Sequence, residues 1–185
     1  MDDKLYFSYA QIHTTVKNLA ETIKRSAFSP DVIVAIGTGG FIPARILKTY
    51  INRPILTVGL KLYNEDNTPE PSPRKIQWID EVEKKISGKR VLLVDEVDDS
   101  RVTLEYCLSE LLRHDPAEIA VGVLHNKKKE KDAEFPPEIT RYFAGKEIDD
   151  LWIKYPWDAI DIDDHARNEH LMLTEYRRTG KETDV

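Results

Sequence analysis

Four carboxylates follow one apolar run. Val91-Leu92-Leu93-Val94 leads into Asp95, Glu96, Asp98 and Asp99, and these into Ser100, Arg101, Val102 and Thr103. Unpaired charge beside a core is costly, so the cluster is expected to hold something positive, a metal ion or a cationic reacting centre. Val102, Leu104, Leu108, Leu111 and Leu112 then recur at helical spacing, which makes the run a buried strand, a charged turn and a helix start. Amide N–H groups in a first helical turn lack internal partners, carry partial positive charge and suit a phosphate. Ser100 and Thr103 add hydroxyl donors. Plain capping by Asp99 or Ser100 is the simpler alternative, but it does not call for two carboxylates upstream. Asp95 and Glu96 would face opposite ways on an extended strand, and the turn can bring both to one ligand. Such oxygen donors suit magnesium, which keeps several waters and takes substrate phosphates as further ligands. A structural ion pair with a lysine or arginine is the alternative for these two.

Gly37-Thr38-Gly39-Gly40 follows a second buried run, Val32 to Ile36. Three glycines in four positions let the backbone approach a ligand closely, though a tight turn alone would also use them. The spacing lacks Gly-x-Gly-x-x-Gly, which argues against a nicotinamide dinucleotide, and no Gly-Lys-Ser/Thr follows, which excludes a triphosphate loop.

The elements that must place these residues alternate. Tyr9, Ile12, Val16, Leu19 and Ile23 share one face of a helix over about 8–26. Strands are expected at Val32–Ile36, Ile55–Leu62, Lys75–Trp78, Arg90–Glu96 and Ile119–Leu124, and helices at Phe41–Tyr50, from Val102 and near 161–178. Residues 63–74 hold three prolines and no apolar period, so they read as a long exposed loop. Residues after about 179 read as frayed. Strand–helix alternation predicts an α/β fold with a mainly parallel twisted sheet flanked by helices. In such sheets ligands sit beyond the carboxyl ends of the strands, and both polar turns lie at such ends.

The 185 residues suffice for one domain. A net charge of −6 argues against nucleic-acid binding, and no apolar run is long enough for a membrane span. One cysteine, Cys107, precludes an internal disulfide and fits a reducing compartment. With no apolar leader in the first residues, the expected address is the cytoplasm. Cys107 lies in a helical apolar stripe and is read as inert packing, and His125 as structural.

The run Val91–Leu104 resembles the phosphoribosyl-diphosphate signature of class I phosphoribosyltransferases, and is most similar to the variant in fungal purine enzymes of the hypoxanthine–guanine and xanthine type. Ile36–Arg45, Gln77-Trp78, Val123–Lys127 and Tyr155-Pro156-Trp157-Asp158 match the same group. The resemblance covers nearly the whole chain. It implies a purine salvage enzyme moving 5-phosphoribosyl from its 1-diphosphate to hypoxanthine, guanine or xanthine, with magnesium as cofactor and a homodimer as assembly. It implies one domain over 1–185, a flexible loop over about 63–74 closing on the site, and a hood formed largely by about 141–178. Asp95 and Glu96 would hold the ribose hydroxyls and the magnesium, with Asp98 beside them among the substrate-binding residues. Asp99 would take the purine N7 proton. Asp99, Ser100, Arg101, Val102 and Thr103 would cradle the 5′-phosphate. Gly37, Thr38, Gly39 and Gly40 would bind pyrophosphate, with a cis peptide at Gly37–Thr38. Lys127 would donate to the purine 6-oxygen, which disfavours adenine, and Trp152 would stack on the ring. Ile153 and Asp158 lie in the stretch that would read the 2-position.

Two residues depart from the family pattern. Arg101 stands where the general signature has glycine, so a positive φ is not expected there, and its side chain is free to reach a phosphate. Thr38 stands where other lineages carry lysine, so one charge contact to pyrophosphate is missing. The acidic quartet and the long loop favour catalysis over a non-catalytic nucleotide or phosphoribosyl-diphosphate sensor on the same fold.

Overall fold

A computed structural model describes residues 4–63 and 69–179. In chain order the elements are β1 (Lys4–Tyr6), α1 (Tyr9–Arg25), β2 (Val32–Gly37), α2 (Phe41–Ile51), β3 (Ile55–Tyr63), β4 (Pro69–Gln77), α3 (Val82–Ile86), β5 (Arg90–Asp98), α4 (Val102–Leu112), β6 (Glu118–Lys127), β7 (Arg141–Ile148), β8 (Trp152–Lys154), a 3-10 turn (Pro156–Asp158) and α5 (Ile162–Thr179).

Six strands form one sheet in the order β4-β3-β2-β5-β6-β7. Every pairing is parallel except β3 with β4, which is antiparallel. The two central strands, β2 and β5, are rich in Val, Ile and Leu and buried on both faces, as a sheet covered twice requires. Alternation along β5 divides the core. Leu92 and Val94 pack with Ile12, Val16, Leu19 and Leu47 from α1 and α2. Val91 and Leu93 pack with Leu104, Cys107, Leu108 and Leu111 from α4. Cys107 is buried, and burial pushes its thiol far up, which fits the inert reading.

Local signals set the helix ends. Ser8 caps α1 by accepting from the Gln11 amide, and Gln11 returns a bond to the Ser8 amide at 2.7 Å. Asn52 closes α2 in the left-handed region at φ 54°.

Two expected boundaries change. Residues 69–74, read as part of a long loop, belong to β4; the prolines fit because β4 is an edge strand, where missing N–H donors are tolerated. Residues 64–68 of that expected loop, and the frayed tail after 179, lie outside the described residues. Arg141–Ile148, assigned to the hood, forms β7 at the edge of the main sheet. In the rest of that segment β8 pairs with β1 in a separate two-stranded parallel sheet, while Tyr155 and Trp157 pack on the same core as Leu92 and Val94.

At the opposite end of the central strands, Asp31 ties the start of β2 to the start of β5. Its carboxylate accepts from the Arg90 amide at 2.9 Å and from the guanidinium at 2.9 and 3.2 Å. The Arg90 side chain holds the carboxyl down to about 2, below the ordinary 3.8. A depressed carboxyl contributes stability above its unfolded value and loses it as pH falls through its folded one. Asp31→Asn is therefore expected to lower the urea midpoint at neutral pH, and the gap to wild type to close between 3.8 and about 2. Urea titrations across that range check it.

Candidate active site

Parallel pairing of β2 with β5 puts two strand ends side by side, with Ala35 opposite Val94. The turns leaving those strands share one cleft of about 450 Å³. Gly37, Thr38 and Gly39 form one wall; Asp95, Glu96, Asp99, Ser100, Arg101 and Thr103 form another.

The glycine turn is packed too tightly for side chains. A Cβ at Gly39 would collide with the Glu96 carboxylate, and one at Gly40 would lie 2.5 Å from the Ile36 carbonyl and 2.9 Å from that of Val94. The Gly37–Thr38 peptide is cis, as expected. Gly40, which lies outside the cleft wall, begins α2 with no side-chain cap.

Asp95 sits at the end of the α4-facing row and Glu96 at the end of the opposite one, yet both line the cleft. Asp95 is only 7% exposed. Burial, then the charge of neighbouring Glu96, push its carboxyl well above the usual range. Among the described residues no cation pairs with either group, and no three potential ligands converge on a point. Two oxygen donors, crowded and without a counter-ion, fit a hard divalent ion that completes its shell with water and substrate oxygens.

The next turn is the one expected to cup a phosphate. Helix α4 follows Arg101, which makes no side-chain cap, so first-turn amides other than that of Val102 are left for a ligand. The Ser100 hydroxyl lies 3.5 Å from the Val102 amide. Two expectations fail here. Arg101 does take a positive φ, 72°, and its guanidinium is not free. It donates twice to Asp98 Oδ2, at 3.1 and 2.8 Å, and lies 4.2 Å from the Phe135 ring centroid. Asp98, expected to touch substrate, is fully buried behind the cup, where the Tyr142 hydroxyl also donates to it at 3.0 Å. Alternation along β5 would put it on the side of Glu96; at the strand end Arg101 and Tyr142 hold its carboxylate inward instead.

At the far end Asp99 meets two ammonium groups, Lys127 Nζ at 2.9 Å and Lys129 Nζ at 3.1 Å. Burial would raise its carboxyl, but the two lysines outweigh that and lower it. Asp150 completes the cluster, 3.4 Å from Lys127 and 3.6 Å from Lys129. Two residues later Trp152 is 65% exposed, an open ring rather than a core aromatic. Ile153, Asp158 and Val102 are not part of the cleft wall, nor is Lys127, which reaches it through Asp99.

Sequence reasoning missed four residues. Lys129 and Asp132 line the cleft; Lys129 lay in a lysine-rich stretch read as a solvated connection. Asp150 gave no signal. Tyr155 was matched only as part of a motif, yet its hydroxyl donates to the Glu96 carbonyl at 3.1 Å and accepts from His125 Nδ1 at 2.8 Å. Burial pushes His125 down to about 3, so the ring is neutral and structural.

The family profile described as "Phosphoribosyl transferase domain" matches residues 8–159. The chain is 44% identical to a hypoxanthine-guanine phosphoribosyltransferase of Schizosaccharomyces pombe, over 88% of this chain and 92% of that one. It is 37% identical to xanthine phosphoribosyltransferase 1 of Saccharomyces cerevisiae, over 89% and 94%. A solved structure of a hypothetical protein from Neisseria gonorrhoeae with bound ppGpp is 46% identical and superposes with a TM-score of 0.85, over 92% of this chain and 98% of that one.

The glycine turn can be tested without substrate. Gly40→Ala forces backbone to move and is expected to cost roughly 1–3 kcal/mol. Gly39→Ala needs only the flexible Glu96 side chain to swing away, and is expected to cost less than about 1 kcal/mol. Urea denaturation of the two variants compares them directly.

Proposed function

The chain belongs to the phosphoribosyl transferase family, and from that premise we propose its reaction. It transfers 5-phosphoribosyl from 5-phosphoribosyl 1-diphosphate to a 6-oxopurine, giving the nucleoside monophosphate and pyrophosphate. Hypoxanthine, guanine and xanthine, the bases in the relatives' names, all carry the 6-oxo group. The observation that supports this best is the single cleft combining an acidic pair, a glycine turn and an uncapped helix start.

A purine nitrogen bonds to the anomeric carbon as the bond from that carbon to the diphosphate oxygen breaks. Positive charge develops on the sugar, and the Asp95 and Glu96 carboxylates beside it stabilise that charge. Fixed groups aimed at developing charge are usually the largest catalytic contribution. Asp95 and Glu96 would also hold a magnesium ion, which would supply charge neutralisation for the diphosphate. Amides of Thr38 and Gly39, both in the cleft wall, hold the departing pyrophosphate, that of Gly40 being taken by the Ile36 carbonyl; amides of 100–103 hold the 5′-phosphate. The 6-oxygen draws Lys127 away from Asp99, which frees that carboxylate to take the N7 proton. Trp152 offers its exposed face to the ring, and Ile153 and Asp158 stand near the 2-position. A cytoplasmic homodimer belongs to the same proposal on family membership alone; among the described residues no helix is long and apolar enough to cross a membrane.

The bound ppGpp in the Neisseria gonorrhoeae relative favours a second reading beside the first. A guanine with phosphate groups at both ends of its ribose has the shape of substrate and product overlaid. We propose that ppGpp enters this cleft, with guanine against Lys127 and Trp152, and competes with phosphoribosyl diphosphate.

Pyrophosphate release is expected with at least one of the three bases, and loss of it when magnesium is withheld. Binding of phosphoribosyl diphosphate without release on any purine would replace the enzyme with a sensor. Asp99→Asn is expected to lower turnover by roughly 10²–10⁴-fold with a smaller effect on KM for phosphoribosyl diphosphate, and steady-state kinetics separate the two. The lysines beside Asp99 hold its carboxyl low, so kcat/KM falls only when pH drops through that low value. Lys129→Ala removes one cation, raises the carboxyl and moves the acid limb of kcat/KM to higher pH.

A further inference from the structure

The chain between β6 and β7, residues 128–140, belongs to neither sheet, yet it grips the anion cup from behind. Lys131 Nζ donates to the carbonyls of Asp98, Asp99 and Lys127 at 2.7, 3.0 and 2.9 Å. The Asp132 amide donates to the Ser100 carbonyl at 3.0 Å. Phe135 stacks under the Arg101 guanidinium, and the Tyr142 ring at the start of β7 lies 5.7 Å from it. Of these residues Arg101, Tyr142 and Lys131 meet at the Asp98 carboxylate, which is fully buried.

Arg101 takes the left-handed turn at the head of α4, a conformation disfavoured for any residue with a Cβ. The side chain offsets that cost. Its paired N–H groups grip one carboxylate oxygen, a charge-assisted contact stronger than a neutral hydrogen bond, and its flat face rests on an aromatic ring. Glycine would adopt the same φ freely but would not hold it, because nothing would tie it to Asp98 or Phe135.

We propose that Arg101 is a positioning residue for phosphoribosyl diphosphate: its ion pair with Asp98, seated on Phe135, latches the 5′-phosphate cup to the segment that carries Lys129. The proposal rests on reading residues 99–103 as that cup. The latch leaves the guanidinium on Asp98 and presents the phosphate with backbone amides already in place. A cup fixed before binding spends less of its contact energy on ordering.

Steady-state kinetics and melting temperatures of the full chain test this. Arg101→Ala keeps the backbone cost and removes the latch, so KM for phosphoribosyl diphosphate is expected to rise about tenfold while kcat changes by less than about threefold. Phe135→Leu, outside the cleft wall, is expected to raise the same KM in the same direction, and Phe135→Tyr, which keeps the ring, to retain the wild-type value. The double variant Arg101→Ala with Phe135→Leu is expected to be no worse than Arg101→Ala alone, since both break one device. Arg101→Gly is expected to raise KM as well. A wild-type KM for Arg101→Gly would overturn the latch, because backbone freedom alone would then suffice. A raised KM for Arg101→Ala with none for Phe135→Leu would overturn it too, since the guanidinium would then be meeting phosphate directly. Thr103→Ala reports on the cup itself: an unchanged KM there removes the underlying reading rather than the latch.

Discussion

Everything in the cleft depends on one register. Because β2 and β5 pair in parallel at the centre of the sheet, their carboxyl ends come out at one level. A glycine turn and an acidic turn, distant in sequence, then face each other across a ligand-sized gap. The closeness is strict. Gly40 donates to the Ile36 carbonyl at 3.0 Å and has no room for a side chain against β5. A one-residue slip between the strands would turn Glu96 away from Gly39 and bring Val97 towards it, since side chains alternate strictly along a strand.

Charge is graded along the cleft rather than spread evenly. The middle is anionic, with Asp95 and Glu96 crowded together and, among the described residues, no cation paired with either. The cup beside it has no free cationic side chain of its own, because Arg101 is spent on Asp98. At the far end Lys127, Lys129, Asp99 and Asp150 balance one another in pairs. On the proposed reading such a site would hold a polyanion through backbone dipoles and a cation. This fits a protein whose formal net charge is −6.

Much of this was legible in the sequence because it follows from periodicity and abrupt changes of polarity. The central strands are unbroken β-branched and aliphatic runs, and both polar turns interrupt them sharply. The order of strands and helices followed from the same signal, and the glycines marked where backbones had to come close. What escaped depended on contacts remote in the chain. Three prolines in 69–74 hid an edge strand, because the lack of an apolar period is also what an exposed edge looks like. An arginine at positive φ made no sense until Phe135 and Asp98 were seen on either side of it. Lys129 looked like one member of a solvated run, and only the fold aims it at Asp99. Asp98 looked like a ligand because four carboxylates look alike in sequence, whereas Arg101 and Tyr142, one of them remote in the chain, hold it behind the others.

The small sheet joins the two ends of the chain. Lys4 pairs with Trp152, Leu5 with Ile153 and Tyr6 with Lys154, while the His165 ring contacts the Phe7 carbonyl at 2.9 Å. The half of the cleft proposed to take the sugar phosphates, by contrast, comes from the continuous middle of the chain. During synthesis from the amino end, that half is therefore complete before its neighbour. Strand β1 waits for a partner nearly one hundred and fifty residues later, and the nascent protein can own a finished phosphate grip while the wall for the nucleobase has not yet left the ribosome.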